Sequence, residues 1–318
     1  MAQVAVEGQE VRRRRRGVRG VLREMRREWT AYLFNAPGML LFAVFTAYAL
    51  FTSFTLSFQE WNILEPQKTF VGLENYRAVA SDGRFWSSVG RSVYFTLGSV
   101  LPTMAIALLL ALLLNAKIRA LGLFRTAYYL PVITPLVIAA IIWKWFYNAD
   151  FGLANYYLER LGIIDEPLLW LSDSTLAMPA VILVNIWKGV GFSMIIYLAG
   201  LQAIPAEFYE AAEVDGAGAW QQFRRITFPL VAPTTFFLLV INTIGAMKTF
   251  DSLFVMTNGG PPGPGGATTT VVYYIYIQAF KFFNMGYASA LAYVLFLMLF
   301  VVSFAQFRWY LKRVEQAQ

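Results

Sequence analysis

The chain contains neither cysteine nor histidine. This excludes disulfides, thiol nucleophiles, imidazole bases and the commonest zinc and haem ligands, so any hydrolytic chemistry would rest on carboxylates or serine alone. Charge is also scarce, because Asp, Glu, Lys and Arg make up 14% of the 318 residues, against about 25% in an average soluble domain. Hydrophobic residues make up 58%. These proportions are typical of a membrane protein.

The few charges are unevenly distributed. Nine arginines precede Trp29, and five of them are consecutive, from Arg12 to Arg16. The net charge of +7 raises the alternative of nucleic-acid binding, but a basic cluster beside a hydrophobic segment is typical of a cytoplasmic anchor on anionic lipid. We therefore predict a cytoplasmic basic tail over residues 1–29 and no nucleic-acid partner. The hydrophobic segment that follows is too long for a signal peptide and is not closed by a small-residue cleavage site.

Six hydrophobic segments are long enough to cross a bilayer as helices. They occupy residues 30–58, 92–114, 123–147, 175–201, 229–254 and 286–310. A shorter aromatic segment, 268–283, contains Gln278 and Lys281 and follows a Gly/Pro-rich loop at 259–266. We interpret it as a short external helix, since a seventh span would place the basic C-terminus outside. The sequence thus predicts an all-α membrane protein with a transmembrane domain over residues 30–310.

Lysine and arginine are concentrated in alternate loops, and this asymmetry predicts the orientation. One side carries the N-terminal cluster together with Lys117, Arg119, Arg125, Arg224, Arg225, Arg308, Lys312 and Arg313. The other side carries only Lys68, Arg77, Arg84, Arg91, Arg160 and Lys281. Because cytoplasmic loops hold the excess of positive charge, both termini are predicted to be cytoplasmic, including a short tail over 311–318. The expected location is the bacterial cytoplasmic membrane.

The predicted cytoplasmic loop over 202–228 contains the signals of a helical hairpin. Pro205 suits the first position of a helix, and Glu207 in that turn complements the positive end of the helix dipole. Gly216 is a stop signal after the helical run 206–215. A second short helix is predicted over 219–226.

One face of the first hairpin helix carries Phe208, Ala211, Ala212 and Asp215 at helical spacing. Such a face suits a helix seated in the groove of another protein. The alternative is an amphipathic helix lying on the lipid surface. A helix on an anionic leaflet is normally basic, whereas this one is acidic, so the pattern favours a protein partner.

The hairpin also carries a recognisable motif. Glu210-Ala-Ala, followed by Asp215-Gly216-Ala217 and then by Phe223, Ile226 and Pro229, resembles the EAA motif of permease subunits in binding-protein-dependent ABC importers. Further segments resemble the sugar permeases of the maltose type: Phe70-Val-Gly-Leu-Glu-Asn-Tyr76, Phe124-Arg-Thr-Ala-Tyr-Tyr-Leu-Pro131, Phe151-Gly-Leu-Ala-Asn155, Asn185-Ile-Trp-Lys-Gly189, and Phe250-Asp251 with Thr257-Asn-Gly-Gly-Pro261. Phe228 departs from the pattern, where the family more often has leucine, and the arginine-rich N-terminus lies outside it.

The resemblance implies the transmembrane fold of a type I ABC importer, with the hairpin as the coupling helix that docks into an ATPase. Carried over by position, the coupling residues are Glu210, Ala211, Ala212, Asp215 and Gly216. The chain has no Gly-rich P-loop ending in Gly-Lys-Ser/Thr, so ATP and Mg²⁺ are expected on two separate ATP-binding cassette subunits and no cofactor in this chain. The other implied partners are a second, homologous permease forming a heterodimer, an extracytoplasmic solute-binding protein and the lipid bilayer.

The resemblance further implies a substrate pathway along the third, fourth and fifth helices. The predicted pathway residues are Val132, Leu136, Asn185, Lys188, Gly189, Phe192, Lys248, Thr249 and Asp251. Asn185 and Gly189 match the family in type, but the others differ, so a preference for maltose cannot be carried over. Charged groups inside spans cost about 2.5–3.5 kcal/mol and therefore line a cavity or form pairs. A Lys248–Asp251 pair, at i and i+3, is the alternative to a role in the pathway.

These features together predict a subunit that imports a carbohydrate by alternating access. Three alternatives remain open. The first is import of a phosphorylated polyol such as glycerol 3-phosphate, which Lys188 and Lys248 would favour. The second is an ion-coupled carrier or channel that needs no ATPase. The third is a membrane enzyme, which would have only Asp251 and serines for its chemistry, with no catalytic or metal site predicted here.

Overall fold

The computed structural model describes residues 29–116, 121–257 and 263–315. The predicted basic tail before Trp29 lies outside these residues, as do Lys117, Arg119, positions 258–262 of the Gly/Pro-rich loop and the last three residues of the chain. The chain divides into two units, Met1–Thr55 and Leu56–Gln318. The first contributes nearly all of helix α1 (Trp29–Leu56), an apolar helix with a π-helical stretch over Phe42–Ala47.

The second unit begins with a two-stranded antiparallel sheet in which Gln59 of β1 (Gln59–Glu60) pairs with Phe70 of β2 (Thr69–Phe70). Its first helices are α2 (Glu74–Ser81), α3 (Gly83–Asn115), α4 (Leu121–Ile133), α5 (Leu136–Phe146), α6 (Leu153–Arg160) and α7 (Ala177–Gln202). Its later helices are α8 (Glu207–Val214), α9 (Ala219–Leu230), α10 (Ala232–Met247), α11 (Asp251–Met256), α12 (Val271–Tyr276) and α13 (Met285–Glu315). The final turns of α12 continue as a π-helix over Ile277–Lys281.

The number of membrane-spanning segments agrees with the prediction of about six. Helices α1, α3, α7 and α13 are each long and apolar enough to cross a bilayer. The bent pairs α4–α5 and α9–α10 bring the total to six if each pair forms one span. The segment 268–283 forms the short helix α12 rather than a span, as predicted. The all-α membrane fold is therefore confirmed.

The third span is broken, so the prediction of one helix over 123–147 was wrong. Helices α4 and α5 meet at 95°, with Thr134 and Pro135 between them. Proline has no N–H to donate and disfavours helical conformation in the residue before it. Pro135 itself is extended, with φ −55° and ψ 134°. The chain therefore leaves α4 at this point and starts a new helix.

The fifth span also differs from its prediction as a helix over 229–254. It bends by 59° between α9 and α10, where Pro233 occupies the first turn of α10. It then ends at Met247, since Lys248 and Phe250 are not helical. Lys248 and Asp251 therefore lie on either side of a break. Both side chains are exposed, and no ion pair joins them in the described chain, which removes the pairing that the i, i+3 spacing suggested.

Helix α3 begins well before residue 92, where the prediction placed its start, because Asp82 caps it. One carboxylate oxygen of Asp82 accepts a hydrogen bond from the backbone N–H of Arg84 at 2.9 Å. The other accepts from the hydroxyls of Tyr274 at 2.6 Å and Tyr287 at 2.7 Å. Burial raises the pKa of Asp82, but these hydrogen bonds and a further backbone one outweigh it and hold the pKa below its ordinary value. Asp82 thus ties α3 to α12 and α13.

Helix α7 packs against α3 and α4 at the centre of the second unit. Phe95, Met194 and Tyr197 are at most 1% exposed at these contacts. On the α4 side the backbones approach closely, because a Cβ atom at Gly191 would lie 2.2 Å from the carbonyl oxygen of Tyr128. Only glycine fits there, so the positions of α4 and α7 are fixed relative to each other.

Candidate functional site

Three helices of the second unit surround a central cavity of about 260 Å³. Its lining comprises Phe95, Ser99, Val100 and Thr103 from α3, Asn185, Gly189 and Phe192 from α7, and Ile241, Asn242, Gly245, Ala246 and Thr249 around α10. Amide and hydroxyl groups therefore alternate with aromatic and aliphatic surface. Such a mixture can bind a polyol through hydrogen bonds and through contact with apolar ring faces.

Four of the nine predicted pathway residues line this cavity: Asn185, Gly189, Phe192 and Thr249. The other five do not. Val132 lies against Gly191, Leu136 is the first residue of α5, and Lys248 and Asp251 flank the break after α10. The side chain of Lys188 is hydrogen-bonded to carbonyl groups at the end of α4. Which of the nine contact a solute stays a prediction.

Asn185 is held in one orientation by hydrogen bonds. Its Nδ2 donates to the carbonyl oxygen of Val181 at 2.9 Å and to Oγ of Ser252 at 3.3 Å. Oγ of Ser252 lies 3.5 Å from Oγ1 of Thr249. No described residue donates a hydrogen bond to Oδ1 of Asn185. That oxygen is therefore an acceptor available to a ligand hydroxyl in the cavity.

The contribution of α3 to the cavity was not predicted. Its signal was present in the sequence as serines and threonines that recur every three or four residues along an otherwise apolar helix. These buried residues are Ser88, Ser92, Thr96, Ser99 and Thr103. Polar groups inside a span face the protein interior, so this stripe could have identified the wall that α3 supplies. Asn242 was missed as well; its Nδ2 donates to Oγ of Ser193 at 3.2 Å.

Lys188 is turned toward α4 and is not part of the cavity lining. Its Nζ donates to the carbonyl oxygens of Pro131 at 3.1 Å, Val132 at 3.2 Å and Thr134 at 2.6 Å. These carbonyls lie at the C-terminal end of α4, which is the negative end of its dipole. The ammonium therefore has partners within the chain.

A second cavity, of about 500 Å³, lies at the end of α5. Polar residues in its lining include Lys144, Tyr147, Asn148, Asp150, Trp170, Ser172 and Thr257. The motif residue Asn155, only 3% exposed, shapes this region by accepting a hydrogen bond from Nε1 of Trp170 at 2.8 Å and by donating to the carbonyl oxygens of Ala149 and Leu168. Trp170 in turn stacks on Tyr147, with ring centroids 5.3 Å apart. Asn155 is thus a structural residue of the motif.

The loop between α7 and α10 forms the predicted hairpin. Helix α8 ends with two hydrogen bonds of a Schellman motif, from the N–H of Ala217 to the carbonyl of Ala212 at 2.8 Å and from the N–H of Gly216 to that of Glu213 at 3.0 Å. Gly216 has φ +74°, a left-handed conformation that strains any residue with a side chain. The prediction that the first helix stops at Gly216 is confirmed.

Side-chain hydrogen bonds brace the two helices of the hairpin. The hydroxyl of Tyr209 lies 2.9 Å from Oγ1 of Thr227, and Nε2 of Gln222 donates to the carbonyl of Ala217 at 3.2 Å. Thr227 is buried, so the hydrogen bond between Tyr209 and Thr227 joins α8 to a buried position of α9. These bonds make α8 and α9 one braced element.

The predicted coupling residues lie on the surface of the hairpin. Glu210, Ala211, Asp215 and Gly216 are exposed, whereas Ala212 is half-buried. Large apolar side chains lie beside them, with Phe208 52%, Val214 88% and Trp220 70% exposed. Val214 and Trp220 were not predicted, because they flank the Gly216 turn and lie off the helix face that carries Phe208, Ala211, Ala212 and Asp215. An exposed apolar surface with an acidic rim is typical of a protein interface.

The region that contains the cavity and the hairpin is shared with known proteins. The family described as "Binding-protein-dependent transport system inner membrane component" matches residues 78–316. The chain is 37% identical over 278 residues to the lactose transport system permease protein LacF of Rhizobium radiobacter, covering 87% of this chain and 92% of that protein. It is 36% identical over 285 residues to the sn-glycerol-3-phosphate transport system permease protein UgpA of Agrobacterium fabrum, covering 89% and 95%.

A solved structure has the same architecture. A chain in the crystal structure of the bacterial alginate ABC transporter, in complex with alginate pentasaccharide-bound periplasmic protein, superposes with a TM-score of 0.73. It is 25% identical, and the match covers 90% of this chain and 95% of that one.

Proposed function

This chain belongs to the family of binding-protein-dependent transport system inner membrane components, and from that premise we propose that it is the permease subunit of an ATP-driven importer of a carbohydrate. It is a multi-pass membrane protein with the transmembrane fold of type I ABC importers. The observation that carries the proposal is that one family match, over residues 78–316, includes the helices around the central cavity and the exposed hairpin.

The cavity supports a carbohydrate as cargo. The orienting hydrogen bonds of Asn185 leave its Oδ1 as an acceptor, and the same cavity lining contains the hydroxyls of Thr249 and Thr103 and the ring of Phe192. A sugar hydroxyl needs such donors and acceptors, and its C–H faces pack on aromatic rings. LacF, a relative, is named for lactose transport.

We further propose that α8 and α9 are the coupling element for a separate ATPase. The chain has no P-loop sequence, so ATP and Mg²⁺ would be bound by two ATP-binding cassette subunits and this chain would hold no cofactor. The hairpin suits docking, because it is braced internally and its exposed Phe208, Val214 and Trp220 can enter an apolar groove. Glu210 and Asp215 would lie at the rim of that contact.

The remaining partners follow from the same assignment. A solute-binding protein would dock on the outer face, as a periplasmic protein is part of the alginate transporter complex. A second, homologous permease would complete the pathway as a heterodimer. Both termini would be cytoplasmic, in the bacterial cytoplasmic membrane, because the basic residues are concentrated on the side of the hairpin. In this arrangement closure of the ATPases moves the hairpins, and the cavity alternates between the two sides of the membrane.

A phosphorylated polyol is the second candidate cargo. Lys248 adjoins the cavity residue Thr249, is exposed, and forms no ion pair with Asp251 within the described residues. A lysine in this position could accept an anionic group as it enters. UgpA, a relative, is named for sn-glycerol-3-phosphate transport.

Reconstitution tests the function directly. The chain would be coexpressed with a homologous permease, ATP-binding cassette subunits and a solute-binding protein from the same genome, and the complex would be placed in liposomes loaded with Mg-ATP. We expect uptake of one member of a panel of radiolabelled mono-, di- and oligosaccharides, and only when ATP and binding protein are both present. Uptake of glycerol 3-phosphate instead would establish the second candidate. Uptake that persists without nucleotide would refute an ABC importer and indicate an ion-coupled carrier.

The orientation has its own test, because a chain without cysteine accepts single labels. A cysteine at Glu210 should react with a membrane-impermeant maleimide only in inside-out vesicles. A cysteine at Asp165, an exposed residue of the predicted outer side, should react only in right-side-out vesicles. Reaction of Glu210→Cys from the outside would contradict the coupling assignment.

A further inference from the structure

The bend of the third span leaves more carbonyl groups without a backbone N–H donor than a proline alone explains. In a helix that is merely kinked at Pro135, only the carbonyl of Pro131 loses its partner, because proline has no N–H. The carbonyls of Val132 and Thr134 would still accept hydrogen bonds from amides one turn further on. The 95° break between α4 and α5 frees these two carbonyls as well.

Lys188 supplies the missing donor. Its ammonium donates to the carbonyl oxygens of Pro131, Val132 and Thr134, at distances of 2.6–3.2 Å. In a membrane such carbonyls have no water to accept from, so each one left unpaired is costly. Two of the three are already satisfied in a continuous helix. The ammonium therefore stabilises the broken form of the span more than the continuous form, which is the condition for controlling the equilibrium between them.

The same turn of α7 connects this bend to the cavity. Lys188 and Gly191 face α4, where Gly191 lies against the backbone of Tyr128. Asn185, Gly189 and Phe192 line the cavity. We propose that Lys188 is a positioning residue. It holds the third span bent and thereby fixes the position of the bend relative to α7, the helix that lines one wall of the cavity. The proposal goes beyond the assignment as an importer and is independent of the solute carried.

The bend can be measured with two spin labels in the cysteine-free chain. Leu123 on α4 and Ile142 on α5 are 71% and 56% exposed and are suitable positions for cysteines. At 1.5 Å per residue, their positions on the helix axes are about 19 Å apart with the observed bend and about 28 Å apart in a straight helix. Pulsed EPR on the assembled transporter in lipid nanodiscs would give this distance. We expect a narrow distribution at the short distance.

Lys188→Met removes the donors but keeps the length of the side chain. We expect its label distances to extend toward the long value at temperatures well below its melting temperature. Lys188→Arg keeps the charge and the donors and should keep the short distance. Lys248→Met is the matched control, since Lys248 is an exposed lysine whose side chain forms no hydrogen bond within the described residues, and it should also keep the short distance.

The outcomes separate the proposal from its rivals. A Lys188→Met variant with the narrow, short distribution would overturn it, even if its melting temperature were lower, because the lysine would then only stabilise the fold. An equal spread of distances in Lys248→Met would overturn it too. Should Lys188→Met fail to insert, Lys188→Arg decides: the short distance supports the proposal and the long distance refutes it. None of these measurements requires the cargo, so they stand apart from the test of transport.

Discussion

Replacing Gly216 by valine should disrupt docking of the ATPase while leaving the membrane part of the fold intact. Gly216 has φ +74° and ends α8 in a Schellman turn. A side chain in this conformation costs about 1–2 kcal/mol, and a β-branched residue is the least tolerated. Nothing lies within 4 Å of a Cβ atom at this position, so the effect comes from the backbone and not from a clash.

That energy corresponds to a reduction of about 5–30-fold in the ratio of native to non-native turn, which is the upper limit for the loss of native population. When only a fraction of the molecules is competent to bind, the apparent affinity for a partner falls by that fraction. We therefore expect the ATPase subunits to bind Gly216→Val up to about 5–30-fold more weakly, with binding-protein-stimulated ATP hydrolysis recovering at high ATPase concentration. Titration of ATPase subunits onto the permease in nanodiscs would measure this shift.

Two variants of the same turn serve as controls. Gly216→Asn should retain most of the affinity, because asparagine tolerates the left-handed conformation better than other residues. Gly218→Ser should bind normally, because Gly218 has φ −70° at the N-cap of α9, where serine is a preferred residue. Unchanged affinity in Gly216→Val, or equal losses in Gly216→Val and Gly218→Ser, would refute the reasoning.

Further predictions concern Asp82, Asn185 and Asn155. The lowered pKa of Asp82 means that its stabilising effect is complete above the unfolded pKa of about 3.9 and is lost as pH falls through the folded value; thermal melts in detergent should show this acid sensitivity in the wild type, and Asp82→Asn should reduce it. Asn185→Ala should raise the KM for uptake by about tenfold, the worth of one or two hydrogen bonds, with nucleotide turnover still stimulated; an unchanged KM would remove Asn185 from the pathway. Asn155→Leu, which leaves the indole N–H of Trp170 unpaired, should lower the free energy of unfolding by about 1–3 kcal/mol, and tryptophan fluorescence during unfolding would detect it.

The hairpin could be predicted from sequence because local rules determine it. Pro205, the acidic first turn and Gly216 are start and stop signals that need no knowledge of the rest of the chain. The structure ends the first helix at Val214 and starts the second at Ala219, close to the predicted bounds of 206–215 and 219–226. The same locality holds for the hydrophobic spans, because bilayer thickness sets the length of apolar sequence that identifies each one.

The bends and the cavity depend on contacts between distant residues and could not be predicted in this way. Pro135 marks a weak point in the third span, but the 95° angle involves an ammonium supplied from another helix. Likewise, Asp82 extends α3 by a cap whose other partners lie near the C-terminus. Hydropathy windows placed the start of α3 after Arg84 and Arg91, because charges lower the average that such windows measure.

In the proposed coupling, the 59° elbow between α9 and α10 would convert a displacement of the hairpin into a tilt of α10. Because the hydroxyls of Tyr209 and Thr227 are hydrogen-bonded, a displacement of α8 would be transmitted to α9 and so to the elbow. Helix α10, with 16 residues, is about 24 Å long, so a rotation of about 10° at the elbow would carry its far end through about 4 Å. That end bears Gly245 and leads to Thr249, two residues of the cavity lining, so such a rotation would change the width of the cavity.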